Sequence, residues 1–264
     1  MYDFAYHRPK SVADAVGLLK SKPEARAMSG GMTLIPTLKQ RLARPSDVVD
    51  LGGIKELAGI KLEGSNVVVG GMTRHADVAS SAEVKSAIPA LAYLAGHIGD
   101  PAVRNRGTIG GSIANNDPAA DYPGAVVALN ATITTNTRKI AADDFFKGLF
   151  ETALAEGELV TSVSFPKVEK AAYMKFPNPA SRYAMVGVFV ADTAGGARVA
   201  VTGAGPGVFR VKDMEAALGK SWSADSVASI KVPAGGLNND IHASREYRAH
   251  LVTVMAKRAV AAAG

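Results

Sequence analysis

Two glycine pairs, each bordered by hydroxyl residues, are the places in this chain where residue type and spacing could do chemistry. They are Ser29-Gly30-Gly31-Met32-Thr33-Leu34 and Thr108-Ile109-Gly110-Gly111-Ser112-Ile113. Glycine lets backbone N–H groups approach a ligand with no side chain in the way. Consecutive free N–H groups at a turn or helix start form a nest for an anion, and two such nests suit a pyrophosphate. Around the second pair, residues 101–123 pack hydroxyl, amide and carboxylate side chains about the turn in an otherwise apolar chain, which points to a polar ligand. Gly52-Gly53, Gly70-Gly71, Gly195-Gly196 and Gly235-Gly236 lack such surroundings and read as plain turns.

Other chemistries are excluded. The chain has no cysteine, so it holds no disulfide, no cysteine-ligated iron–sulfur cluster and no cysteine nucleophile. His7, His75, His97, His242 and His250 are too scattered for a zinc site, none lies beside either glycine motif, and His75, His97 and His250 read as structural. Gly203-Ala204-Gly205-Pro206-Gly207-Val208 starts like a dinucleotide fingerprint but has Val208 in place of the last glycine, and Gly219-Lys220-Ser221 ends like a phosphate loop whose first glycine is replaced by Met214. No Gly-x-Ser-x-Gly elbow is present.

The elements that must position the glycine motifs follow from hydrophobic period. Ser11 to Asp14 resembles a capping box ahead of a helix through Leu19. A short strand over 25–29 leads into the first motif, and a helix over 34–42 leads out of it. Strands are expected at 48–51, 67–69, 131–136 and 159–165, and helices at 76–80, 88–97 and 125–129. Beyond Pro166, residues 184–191 and 198–201 read as antiparallel strands, 212–218 as a helix, and 241–262 as a long terminal helix with Asp240 as N-cap. Three units result: 1–53, 54–166 and 167–264.

At 264 residues and 47% hydrophobic composition, a globular core is expected. The formal charge of +6 is spread out, which suits an anionic cofactor or acidic partner, and no nucleic-acid motif accompanies it. No apolar run reaches membrane-spanning length and the first residues carry no secretory pattern, so a cytoplasmic location is expected.

Taken together, ordered motifs make the resemblance specific. The chain resembles the flavoprotein (medium) subunits of the xanthine dehydrogenase family of molybdenum hydroxylases, above all those of carbon monoxide dehydrogenases. The likeness runs over essentially all 264 residues. It is carried by Phe4 to Pro9, the Gly30-Gly31 motif, Thr73-Arg74-His75-Ala76-Asp77, Arg104 to Asp121, Phe145 to Pro166, and Tyr247-Arg248-Ala249-His250-Leu251.

This resemblance implies FAD as cofactor and an α+β fold: two subdomains of the vanillyl-alcohol-oxidase (PCMH-like) type, followed by a C-terminal domain of antiparallel sheet and helices. It assigns the pyrophosphate to Ser29, Gly30, Gly31, Met32, Thr33 and Leu34 together with Thr108, Gly110, Gly111 and Ser112. Family members often have histidine at the place of Met32; a backbone contact there survives the change, whereas a side-chain contact does not. Asn115 lies near the cofactor. Asp121 either accepts from ribose or ribitol hydroxyls or caps the helix at Pro123. Leu159 packs on the flavin ring. Lys175 and Tyr183 supply the charge and the aromatic wall at the ring, or else are an ordinary surface lysine and strand aromatic. The Phe176-Pro177-Asn178-Pro179 insert departs from the family here and brings Arg182 forward as the alternative charge.

By the same resemblance, substrate is oxidised on a large partner subunit carrying a molybdopterin cofactor. A small partner carries [2Fe–2S] clusters, in a dimer of three-subunit units. Electrons then pass through FAD to a quinone, NAD, oxygen or another acceptor. The competing readings are a self-sufficient FAD oxidase of related fold and a non-catalytic flavin-binding module.

Overall fold

The computed structural model describes residues 1–264. The first unit comprises β1 (Ala5–His7), α1 (Val12–Ser21), β2 (Arg26–Met28), α2 (Leu34–Lys39) and β3 (Asp47–Asp50). Its three strands are parallel, with β3 in the middle. The Ser11 hydroxyl accepts from the Asp14 N–H at 3.1 Å and donates to its carboxylate at 2.7 Å, so serine caps the helix while the shorter aspartate reaches the cap hydroxyl rather than the Ser11 N–H that glutamate takes in a full capping box. Helix α2 stops short of the expected Leu42 because Arg41 turns into the left-handed region at φ 59°.

The second unit starts with the hairpin β4 (Ile60–Glu63) and β5 (Asn66–Gly70). A run of short helices follows: α3 (His75–Ser80), α4 (Ala82–Ala87), α5 (Pro89–Gly96), α6 (Pro101–Arg104), α7 (Ile109–Asn115) and α8 (Tyr122–Ala128). Then come β6 (Thr132–Thr135), β7 (Lys139–Ala141), α9 (Ala142–Phe145), the small hairpin β8 (Phe146–Gly148) and β9 (Glu151–Thr152), and β10 (Val160–Pro166). The sheet is antiparallel in the order β4-β5-β10-β6-β7, with Val163 opposite Val69 and Phe165 opposite Val67.

The third unit is the antiparallel sheet β11 (Ala171–Pro177), β12 (Ala184–Thr193), β13 (Gly196–Thr202) and β14 (Phe209–Arg210), followed by α10 (Lys212–Lys220), α11 (Ala224–Ala228) and α12 (Arg245–Ala263). Side chains alternate across a strand, and both faces of this sheet are covered. Tyr173, Phe189, Ala191 and Ala200 join the core of the second unit. Ala172, Val186, Val188, Val190, Val199 and Val201 pack with Leu251, Val252 and Met255 of α12. Burial on both faces is why β12 reads as one continuous apolar run.

One capping expectation is corrected. Helix α12 begins at Arg245, and Ser244 is its cap, accepting from the Tyr247 N–H at 3.2 Å. Asp240 instead closes a turn over the His242 and Ala243 N–H groups and takes the Arg248 guanidinium at 2.7 Å. Strands β1, β4, β7, β8, β9, β11 and β14 fall outside the expected set, being short, polar or at sheet edges where alternation is weak.

Candidate cofactor site

The two glycine motifs meet where the first and second units join. Ser29 Oγ lies 2.5 Å from Thr108 Oγ1 and 3.0 Å from Met72 Sδ. At Gly30 a Cβ would stand 2.0 Å from the Arg106 carbonyl oxygen, and at Gly110 it would stand 2.5 Å from that of Gly71. Backbone crosses backbone at both points, so only glycine fits. Gly31 has φ 74°, a conformation glycine holds without strain.

The motifs differ in what they leave free. Between β2 and α2, the N–H groups of Gly30, Gly31, Met32 and Thr33 donate to nothing in the chain. At the second motif the Gly110 N–H is engaged by the Gly71 carbonyl at 2.9 Å, and the Gly111 N–H by its helix cap, Thr108 Oγ1, at 3.1 Å. Of the two nests expected, only the first presents an open row of donors. The second motif is a packing device, with the Ser112 hydroxyl beside it making no hydrogen bond within the chain.

Both motifs line a cleft of about 580 Å³, within the usual size of a cofactor site. Ser29 through Leu34, Thr108, Gly110, Gly111, Ser112, Asn115, Asp121, Leu159 and Tyr183 all line it. Lys175 does not. Its side chain is 7% exposed and its ammonium is turned into the wall, 2.9 Å from Asp121 Oδ1 and 3.1 Å from the His97 carbonyl. The reading of Lys175 as a charge presented directly to the ring is thereby corrected, as is its reading as a surface lysine. Arg182 is the cation that reaches the cleft from this side, at φ 63°, in a turn where the buried Asn178 carboxamide accepts from the Ala180 and Ser181 N–H groups.

Asp121 sits at the first position before α8 yet makes no cap bond, since its own backbone is already helical. Its carboxylate takes the Tyr173 hydroxyl at 2.5 Å and the Lys175 ammonium on both oxygens, which leaves about one of four lone-pair sites for a ligand hydroxyl. Burial pushes this carboxyl up, with Lys175 and Tyr173 opposing. Leu159 is shared between the cleft and the small core of the first unit.

Sequence reasoning set His75 aside as structural and away from both glycine motifs. Its ring lies against Gly107, at the edge of the second motif, and lines the cleft. It is tilted on Tyr122 with centroids 5.3 Å apart, and its Nδ1 is buried without a partner. Burial, with the Arg104 charge adding, lowers it to about 4, so it is neutral at pH 7. Neighbourhood in sequence gave no sign of this, because Gly107 lies more than thirty residues away along the chain.

Residues 2–168 match the FAD binding domain in molybdopterin dehydrogenase, and residues 171–263 match the CO dehydrogenase flavoprotein C-terminal domain. The chain belongs to this flavoprotein family. The carbon monoxide dehydrogenase medium chain of Hydrogenophaga pseudoflava is 36% identical over 98% of this chain and 96% of that one. The nicotine 6-hydroxylase medium subunit of Paenarthrobacter nicotinovorans is 35% identical over 98% and 96%. A solved structure of the Hydrogenophaga pseudoflava carbon monoxide dehydrogenase superposes with a TM-score of 0.90 at 37% identity, over 99% of this chain and 97% of that one. FAD is therefore the cofactor, and the residues present fit it: an open N–H row for the phosphates, a free hydroxyl at Ser112, and an apolar wall at Leu159. Met32 meets the cleft with its backbone N–H free and its side chain 38% exposed, so the loss of a family histidine costs no backbone donor.

Proposed function

We propose that this chain carries electrons from the [2Fe–2S] clusters of a small partner subunit, through FAD, to an external acceptor, while a large molybdopterin subunit oxidises the substrate. The observation that carries the reading is the open N–H row of Gly30 to Thr33 at the cleft between two units. FAD supplies the ability to take electrons singly and hand on one or two. The chain binds and orients it. The Gly30 to Thr33 donors hold the pyrophosphate, the Ser112 hydroxyl adds a donor, Asp121 offers its remaining lone pair to a sugar hydroxyl, and Leu159, Tyr183 and Arg182 border the ring. The Ser112 hydroxyl has no base bonded to it, Asp121 is engaged by Tyr173 and Lys175, and no three histidine or acidic side chains cluster as metal ligands, which suits a cofactor carrier whose substrate chemistry lies on another chain. Relatives named for carbon monoxide and for nicotine match this chain over nearly its whole length, in keeping with selectivity set elsewhere. The assembly is a dimer of heterotrimers in the cytoplasm, with a quinone, NAD or oxygen as acceptor.

Anaerobic mixing of the FAD-loaded chain with its reduced [2Fe–2S] partner tests this. Bleaching of the flavin bands as the cluster bands return supports the reading. A flavin that stays oxidised beside a reduced cluster contradicts it, and oxidation of an organic substrate by the isolated chain favours the self-sufficient oxidase instead.

A further inference from the structure

The wall behind the cleft contains a buried trio joined from two units. Tyr173, 1% exposed on β11, donates to Asp121 at 2.5 Å. Lys175, two residues along the same strand and so on the same face, grips both oxygens of that carboxylate. The neighbouring strand is cut to admit the phenol: Gly187 stands opposite Lys175, and a Cβ there would lie 2.3 Å from the Tyr173 hydroxyl oxygen. Any side chain at 187 forces the hydroxyl off Asp121. Asp121 itself lines the cleft beside Tyr183, whose phenol is pushed up by burial first, then by the Asp117 and Asp121 charges.

We propose that Tyr173 is a positioning residue for the flavin: its hydroxyl, seated over Gly187, holds Asp121 as a carboxylate against Lys175, keeping the cleft wall electrically neutral and so setting the flavin reduction potential. The proposal rests on the FAD reading of the cleft. A buried carboxylate stays charged only while it is paired and hydrogen-bonded. Without the hydroxyl, Lys175 is left as the main group opposing burial, so the acid is protonated more of the time and the ammonium behind the wall is less fully compensated. Reduced flavin gathers negative charge at its ring, so that cation favours reduction. The other titratable or charged groups around the trio are Tyr93 and His97 at the end of α5, Tyr122 on α8, and Tyr183 and Asp117 at the cleft. A parallel set in a His97→Asn background takes the imidazole beside the trio out of the comparison.

The measurement is the flavin midpoint potential of the FAD-loaded full chain by equilibration with reference dyes between pH 6 and 8. Tyr173→Phe is expected to favour reduction about tenfold, roughly 30 mV upward for the two-electron couple, with the difference widening as pH falls. Gly187→Ala shifts it in the same direction, which keeps the test available if the phenylalanine variant folds poorly. Asp121→Asn raises the potential as well, and adding Tyr173→Phe to it changes nothing further. Tyr173→Phe and Gly187→Ala proteins that bind FAD with the wild-type potential at every pH overturn the inference alone, as does additivity with Asp121→Asn. A wild-type chain that takes up no FAD overturns it together with the proposed function.

Discussion

His75 shows what burial does to one side chain at this site. Its imidazole is 4% exposed and lowered to about 4, whereas an unfolded histidine titrates near 6.5. Between those values the unfolded chain binds more protons, so stability rises with pH and is lost as pH falls from about 6.5 towards 4. The span corresponds to on the order of 3 kcal/mol at most. Denaturant unfolding at pH 7 and pH 5 should show a smaller loss in His75→Asn than in wild type, and equal losses would remove His75 from the account. The residue scale also shows where sequence reading stops. The glycine motifs, Asp121 and Tyr183 are visible as residue types in pattern. Whether a given N–H is free is decided by partners such as the Gly71 carbonyl, which no local pattern reveals. Likewise Lys175 is 54 residues from the carboxylate that turns it inward.

At the scale of elements, hydrophobic period located the strands and helices that are buried on at least one face. It lost those whose partners are polar or distant, such as β11, whose Tyr173 and Lys175 serve Asp121 rather than the apolar core alone. The start of α12 is the clearest case: an aspartate before a long helical run reads as a cap, but Ser244 caps and Asp240 pairs with Arg248, whose side chain is 5% exposed. Removing the cap with Ser244→Ala should cost about 1 kcal/mol. Asp240→Ala should cost more, about 2 kcal/mol or above, because it strips the carboxylate from a buried guanidinium. Chemical denaturation of the two variants decides the order; a larger loss from Ser244→Ala would restore Asp240 to a lesser role. Glu158 is a second such hub. Its carboxylate is held well below the usual range, first by Arg138 and then by the Ala155 N–H and the Thr135 and Thr137 hydroxyls. Glu158→Ala should destabilise the β6–β7 turn by about 2–3 kcal/mol, read as early hydrogen exchange there, and unchanged protection would count against it.

For the whole molecule, the three units are unequal. The second and third share one core, because Tyr173, Phe189, Ala191 and Ala200 of the third sheet pack with Val69, Tyr122 and Phe165 of the second unit. They should unfold together, in one calorimetric transition, and two separated transitions for residues 54–264 would contradict the shared core. The first unit has a small core of its own that borrows Ile54, Leu57 and Leu159 from the second, and it meets the rest there and at the crossing of the two glycine motifs. The cofactor cleft is thus the seam of the molecule. On the proposed reading FAD lies along this seam, so its binding should raise the melting temperature of the whole chain.

The central claim is that the open N–H row of the first glycine motif holds FAD, and titration of the purified full chain with FAD, followed by the flavin absorbance retained after desalting, tests it most directly. The wild type should retain one FAD per chain. Gly31→Ala, which places a side chain at φ 74° and turns the row, should weaken binding about tenfold or more. Gly196→Ala, at φ 98° in open space on the β12–β13 turn, carries comparable strain and should leave binding unchanged. A wild-type chain that holds no FAD, or a Gly31→Ala chain that holds it as tightly as wild type, would contradict the account.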